Sequence, residues 1–290
     1  MAKIRHKYFM AGTYPPQNHM LRDLSIELVA KGKEGATIQA PVVSQTCSES
    51  DCMYVGLLAA LVDVLGGVIA IPAVSPDWIS TSNLSIHITR HVPPGRVVAD
   101  GHVLRAGRTS VVIGVEIQAG KTGMSHKMTP AGIAMITYSR LPGRKTHLQM
   151  LTTDNPNESM RFSLGGTGLK KPFIDTVGVQ IIDRATGRLV LKMDDYVRNS
   201  LGSLQGGMTA FLAELAGQYL VCGGTGKLGQ TRDLVIHYMS PGITGPFETT
   251  SEVLRMDEHS ALTRIHVVDQ GNDHRLMAVA MNTVCLSPDA

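Results

Sequence analysis

Tyr54–Val74 reads YVGLLAALVDVLGGVIAIPAV, 21 residues with one charged side chain, Asp63. By length alone such a run is a candidate membrane span. Asp63 stands near its centre, where a carboxylate in lipid is costly. Gly66, Gly67 and Pro72 are expected to shorten any helix here, and no second run of this kind follows. The stretch therefore reads as a helix that is apolar all round because protein surrounds it, and no membrane span is expected.

A second copy of this helix lies downstream, and an internal repeat orders the chain. Leu57–Gly67 with Asp63 matches Met208–Gly217 with Glu214, at an offset of 151. Thr81-Ser-Asn-Leu-Ser-Ile-His matches Thr231-Arg-Asp-Leu-Val-Ile-His at 150, and Val103-Leu-Arg105 matches Val253-Leu-Arg255 at 150. Upstream, the turn at Lys31–Gly35 matches Asp183–Gly187 at 152. Each copy starts with a hairpin, Leu24–Ala30 with Ala36–Val43 and Val177–Asp183 with Leu189–Met193, joined by a Gly-bearing turn. After the helix, copy one is predicted to form strands at 79–89, 97–106, 110–119 and 132–139. Copy two is predicted to form them at 231–239, 247–256, 260–269 and 275–286, in short β-branched runs punctuated by Gly and Pro. The domain reading is an arm over 1–20, unit one over 21–145, a polar linker over 146–172 and unit two over 173–290. A helix cupped in a curved antiparallel sheet must be apolar on more than one stripe, which explains the opening stretch. Two such α+β units side by side would share one continuous sheet and bury both helices.

Composition excludes several classes. Apolar residues make up 43% of 290 and charged residues 18%, too apolar for a disordered chain. The net charge of +3, without a long Lys/Arg run, does not suit a nucleic-acid binder, though it admits an anionic small ligand. Four cysteines (Cys47, Cys52, Cys222, Cys285) do not make a disulfide scaffold and read as free thiols in a reducing cytoplasm. Cys47 and Cys52 lack a second pair, so no zinc site is expected. Gly223-Gly-Thr-Gly226-Lys follows a helix rather than a strand and is no P-loop. His87 and His237 match across the copies and read as structural strand residues.

The architecture is that of the hotdog fold, and the start of the second helix points further. Asn199, Gly202 and Gln205-Gly206-Gly207, with Glu214 seven residues on, resemble the phenylacetate-type (PaaI-like) hotdog acyl-CoA thioesterases. That family carries Asn, a Gly three on, His-Gly-Gly and then an acid on the helix. Thr81 and Thr231 fall where it has Ser or Thr, and His237–Pro241 resembles its following strand and turn. The resemblance spans about 20–145 and 173–287. Gln205 departs from the family's His. In copy one Ser48, Asp51, Tyr54, Val55 and Gly56 replace the pattern, leaving only Asp63 and Thr81.

The resemblance implies a double hotdog that hydrolyses acyl-CoA between its units, one unit giving the Asn–Gly end and the other the acid. Site one would combine Asn199, Gln205, Gly206 and Gly207 with Asp63 and Thr81. Site two would combine Tyr54 and Gly56 with Glu214 and Thr231. Helix-start N–H groups at Gly206–Gly207 suit an oxyanion. A carboxylate on an apolar helix gains a raised pKa and serves as base or nucleophile. Thr81 would orient the Asp63 carboxylate, and Asn199 would place water or the carbonyl. Site two lacks the Asn and one Gly and is read as vestigial or binding only. Arg105 and Arg108, flanking a tight turn, are candidates for the CoA phosphates. No cofactor is expected beyond CoA as part of the substrate, and a homodimer of double-hotdog chains is expected. The competing readings are a silent acyl-CoA-binding protein and another hotdog enzyme such as an enoyl-CoA hydratase. The latter's Asp-x-Asn-Pro-x-His run is missing from the sequence.

Overall fold

A computed structural model describes residues 14–121, 128–142, 160–161 and 168–287. The predicted linker 146–172 and arm 1–20 therefore lie largely outside the described residues. The first half contains α1 (Met20–Asp23), β1 (Glu27–Lys31), β2 (Gly35–Val42), α2 (Val55–Val74), β3 (Trp78–Ile88), β4 (Gly95–Ala106), β5 (Ser110–Lys121) and β6 (Thr129–Leu141). After β7 (Met160–Arg161) the second half repeats the order. It contains α3 (Phe173–Val177), β8 (Gln180–Asp183), β9 (Arg188–Leu191), α4 (Gly206–Thr225), β10 (Gly229–Tyr238), β11 (Phe247–Met256), β12 (Ser260–Asp269) and β13 (Arg275–Leu286). The strands fall close to where β-branched alternation placed them.

The described strands form one sheet, β7-β1-β2-β4-β5-β6-β3-β10-β13-β12-β11-β9-β8, with every neighbouring pair antiparallel and the register shifted by a bulge in several of them. The order within one half mirrors that in the other. The halves meet at β3–β10, where Ser85 pairs with Val235, Asn83 with His237 and His87 with Asp233. The 150-residue offset equates Ser85 with Val235, Asn83 with Asp233 and His87 with His237, so the two outer pairs exchange under a local twofold axis that passes through Ser85 and Val235. His87 Nδ1 lies 2.7 Å from Asp233 Oδ1, and Asn83 Nδ2 3.1 Å from His237 Nδ1. These histidines stitch the junction.

α2 and α4 lie on the concave side and pack against each other. A Cβ on Gly56 would meet Phe211 Cα at 2.3 Å, and one on Gly207 would meet Ala60 Cα at 2.3 Å. Residue 60 plus 151 is 211, so the two contacts are the same one seen from either side of the axis. They fix why glycine stands at both helix starts: the helix backbones approach too closely for any side chain. Leu57, Leu58, Leu61 and Leu65 of α2 are fully buried against the sheet, each contributing roughly 1.5–3 kcal/mol. Two-thirds of the most apolar window of α2 is buried inside the protein. All four cysteines are free.

The expected shortening of α2 is not what the structure shows. The helix runs unbroken from Val55 to Val74. Gly66 is needed there, because a Cβ would lie 2.4 Å from the Tyr138 hydroxyl. Pro72 falls in the last turn, where losing one backbone donor does not end a helix already held by packing.

Candidate functional site

The N-terminus of α4 points across the axis at Asp63 of α2. Thr81 Oγ1 of β3 donates to Asp63 Oδ1 at 2.8 Å, and Gln205 Nε2 donates to Asp63 Oδ2 at 2.9 Å. Gln205 is the N-cap of α4, and its Oε1 accepts the Met208 N–H at 3.0 Å. One amide thus caps its own helix and holds the carboxylate of the other unit, a task that a His–Gly–Gly reading alone does not suggest. A Cβ on Gly206 would sit 2.9 Å from Asp63 Oδ2, so glycine at 206 is what lets the carboxylate come this close. Tyr138 O–H donates to the Asp63 carbonyl and Tyr238 O–H to the Gly206 carbonyl, fixing both helices at the point where they face. Burial holds both phenols neutral, with the Asp63 charge adding to the effect. Loss of bulk water pushes the Asp63 pKa up to about 6, against the Thr81 hydrogen bond, which favours the ionised form.

A cavity of about 570 Å³ opens beside Asp63, walled by Val64, Gly67, Val68, Ile71, Trp78 and Leu141 on one side. The Asn199–Gly206 loop and Tyr238–Ile243 form the other. Tyr14 and Leu21 of the N-terminal segment complete it. That segment is seated on the second unit, with His19 Nε2 2.9 Å from the Arg198 carbonyl and Tyr196 O–H donating to Asp23 at 2.8 Å. Tyr14 and Leu21 of this segment thus wall the site.

Asn199 departs from its expected role. It lines the cavity, but its Oδ1 accepts the Leu201 and Ser203 N–H groups and its Nδ2 donates to Ser203 Oγ. It shapes the loop and is not aimed at Asp63. Arg105 and Arg108 stand exposed at the β4–β5 turn and do not line the cavity. Their turn is tied to the site's rim, since Arg140, next to cavity-lining Leu141, donates to the Gly107 carbonyl.

Across the axis the same parts are arranged differently. Glu214, one methylene longer than Asp63, reaches the start of α2 and accepts the Val55 N–H at 2.8 Å and the Gly56 N–H at 2.6 Å. Gln218 Nε2 donates to Glu214 Oε1 at 3.2 Å and to Thr231 Oγ1 at 3.0 Å. Burial pushes the Glu214 pKa up to about 7, while the two backbone N–H bonds and Thr231 pull it down. Glu214 is 1% exposed, and Tyr54, Phe211 and Phe173 stack edge-on beside it at centroid separations of 5.2 Å. At Asp63 the equivalent donors, the Gly206 and Gly207 N–H groups, have no protein acceptor among the described residues. The shorter acid, held back by Thr81 and Gln205, leaves them open.

Sequence reasoning missed Tyr14, Gly67, Trp78, Tyr138, Tyr238 and Gln218. Of these only Gln218 carried a signal, standing one turn after Glu214 on the same helix face.

Residues 52–125 match the family model described as the thioesterase superfamily. The match falls on the unit whose Asn-to-Gly pattern is lost, and it includes Asp63 and Thr81. The chain is 28% identical over 109 residues to acyl-coenzyme A thioesterase 13 of Homo sapiens, covering 36% of this chain and 77% of that one. Among solved structures it resembles a conserved protein of unknown function with hot dog fold from Alicyclobacillus acidocaldarius. The TM-score is 0.55 at 11% identity, over 94% of this chain and 99% of the other. It also resembles an acyl-ACP thioesterase from Bacteroides thetaiotaomicron VPI-5482, with a TM-score of 0.55 at 11% identity over 88% and 100%. The fold is the hotdog fold, a central helix held by an antiparallel sheet.

Proposed function

We propose that this protein is an acyl-CoA thioesterase, a PaaI-like tandem double hotdog that hydrolyses acyl-CoA to free acid and CoA at the Asp63 cavity. One observation carries the reading: the buried Asp63 carboxylate of one unit lies against a helix start of the other whose Gly206 and Gly207 N–H groups have no acceptor among the described residues, at the edge of a largely apolar cavity. The thioesterase-superfamily match and the likeness to acyl-coenzyme A thioesterase 13 support it.

The thioester carbonyl oxygen accepts from Gly206 and Gly207, where the positive end of the α4 dipole stabilises negative charge. As base, Asp63 takes a proton from water whose oxygen attacks the carbonyl carbon. The C–S bond then breaks, and the CoA thiolate takes up the proton. As nucleophile, Asp63 attacks the carbonyl carbon, the C–S bond breaks and CoA thiolate leaves, and water then cleaves the anhydride to the free acid and the restored carboxylate. Both routes need Asp63 ionised, and Thr81 and Gln205 hold its oxygens in place for either. The kcat/KM of the free enzyme is therefore expected to rise about tenfold per pH unit up to about 6 and then to level. A profile flat from pH 5 to 8 would remove Asp63 from the reaction.

The exposed pair Arg105 and Arg108 is assigned to the CoA phosphates, because its turn is anchored beside the cavity rim. The double substitution to Ala is expected to raise KM roughly threefold to tenfold with kcat kept, as a solvent-screened charge contact should. An unchanged KM at low salt overturns the assignment. The competing reading, a silent acyl-CoA binder, predicts tight binding with no thiol released. The intact Asp63–Thr81–Gln205 arrangement favours turnover.

A further inference from the structure

Among the glycines of the two long helices, only the half-buried Gly67 and the exposed Gly224 would carry a Cβ with no neighbour, and of these two Gly67 lines the cavity. A Cβ on it would meet nothing within 4 Å, whereas Gly56, Gly66, Gly207 and Gly217 each lie against atoms that a side chain would strike. A helix-interior glycine is disfavoured against alanine, so the open space is what Gly67 provides. It stands four residues after Asp63, with Ile71 four further, and all three line the cavity. This places an apolar strip along one face of α2, flanked by Val64 and Val68 and running about 12 Å from the carboxylate. Among the described residues no Lys, Arg or His lines the cavity, and Asp63 is the one carboxylate there.

The second unit shows what happens when this strip is filled. The residue equivalent to Gly67 is Gln218, which spans Glu214 and Thr231, and the residue equivalent to Val68 is Tyr219. We infer that Gly67 sets acyl specificity, and that the acyl group is an uncharged chain of medium length lying along α2. This rests on the thioesterase reading. A charged chain end would find no counter-ion among the described residues of the cavity, and a chain of roughly eight to ten carbons matches the ~12 Å strip.

The test measures kcat/KM on straight-chain acyl-CoAs of increasing length and on one chain ending in a carboxylate, for wild type, Gly67→Ala and Gly67→Leu. A pocket that refuses one methylene discriminates by about 10–200-fold. Gly67→Leu is therefore expected to lower the ratio of medium-chain to short-chain kcat/KM at least tenfold, with Gly67→Ala in between. The carboxylate-ended chain is expected to be the poorest substrate. Circular-dichroism melts establish that both variants fold, and Gly67→Ala carries the test if Gly67→Leu does not. An unchanged length profile overturns the role of Gly67, and preference for the charged chain overturns the substrate class. If wild type releases no thiol at all, the thioesterase reading falls instead. Calorimetry with acyl-CoA thioether analogues on the same variants then decides Gly67 alone, a Kd independent of chain length and variant overturning it.

Discussion

Asp63→Asn is expected to lower kcat by about 10³-fold, within the 10²–10⁴ that a positioned acid or base contributes, while the protein stays folded and binds substrate. The amide keeps the shape of the carboxylate, so its oxygen can still accept from Thr81. It offers neither a proton acceptor of useful strength nor a nucleophile. Fold stability should not suffer. The folded pKa of about 6 lies above the ordinary carboxylate value of 3.8, so between those values the native state holds more proton than the unfolded state. The Asp63 contribution to wild-type stability therefore falls as pH rises from about 4 to about 6 and is constant above. Asp63→Asn lacks this fall, and melting curves at pH 4 and pH 7 read the difference. A variant that keeps wild-type turnover, or that loses turnover only because it unfolds, contradicts the assignment.

Glu214 is expected to behave in the opposite way. Glu214→Ala leaves the Val55 and Gly56 N–H groups buried without an acceptor, at about 1–3 kcal/mol each. It also removes the carboxyl group that caps the positive end of α2. At roughly 2–4 °C per kcal/mol for a chain of this size class, Tm should fall by about 5–20 °C. Glu214→Gln keeps one acceptor and should lose less. Both variants should retain turnover well below their melting temperatures, because Glu214 does not line the cavity. The acid caps a helix in one half, while its counterpart in the other half leaves the helix start open. One methylene, the swap of Gly67 for Gln218 and the aromatic cluster at Phe211 separate the two outcomes.

Much of the fold was legible because its signals are local or periodic. β-branched alternation and Gly turns located the hairpins to within a few residues. The repeat offset paired the two helices, and that pairing is the local twofold axis through Ser85 and Val235. Asp63 and Thr81 could be joined from sequence because their counterparts recur together. What could not be read depends on approach across the axis. Gly66 and Pro72 argued for a broken helix by local rules, but the Tyr138 contact and surrounding core keep α2 whole. Asn199 looked catalytic by spacing, yet its amide is committed to its own loop. Tyr14 carries no periodicity at all, and only its docking through His19 onto Arg198 makes it a cavity wall.

The most direct test is release of free thiol from a panel of short, medium, long and aromatic acyl-CoAs, with wild type, Asp63→Asn and Glu214→Gln measured side by side. Release by wild type and Glu214→Gln but not by Asp63→Asn is the predicted result, placing hydrolysis at the cavity between α2 and the start of α4. Equal losses from the two substitutions, or no release from wild type while calorimetry still records acyl-CoA binding, would contradict it.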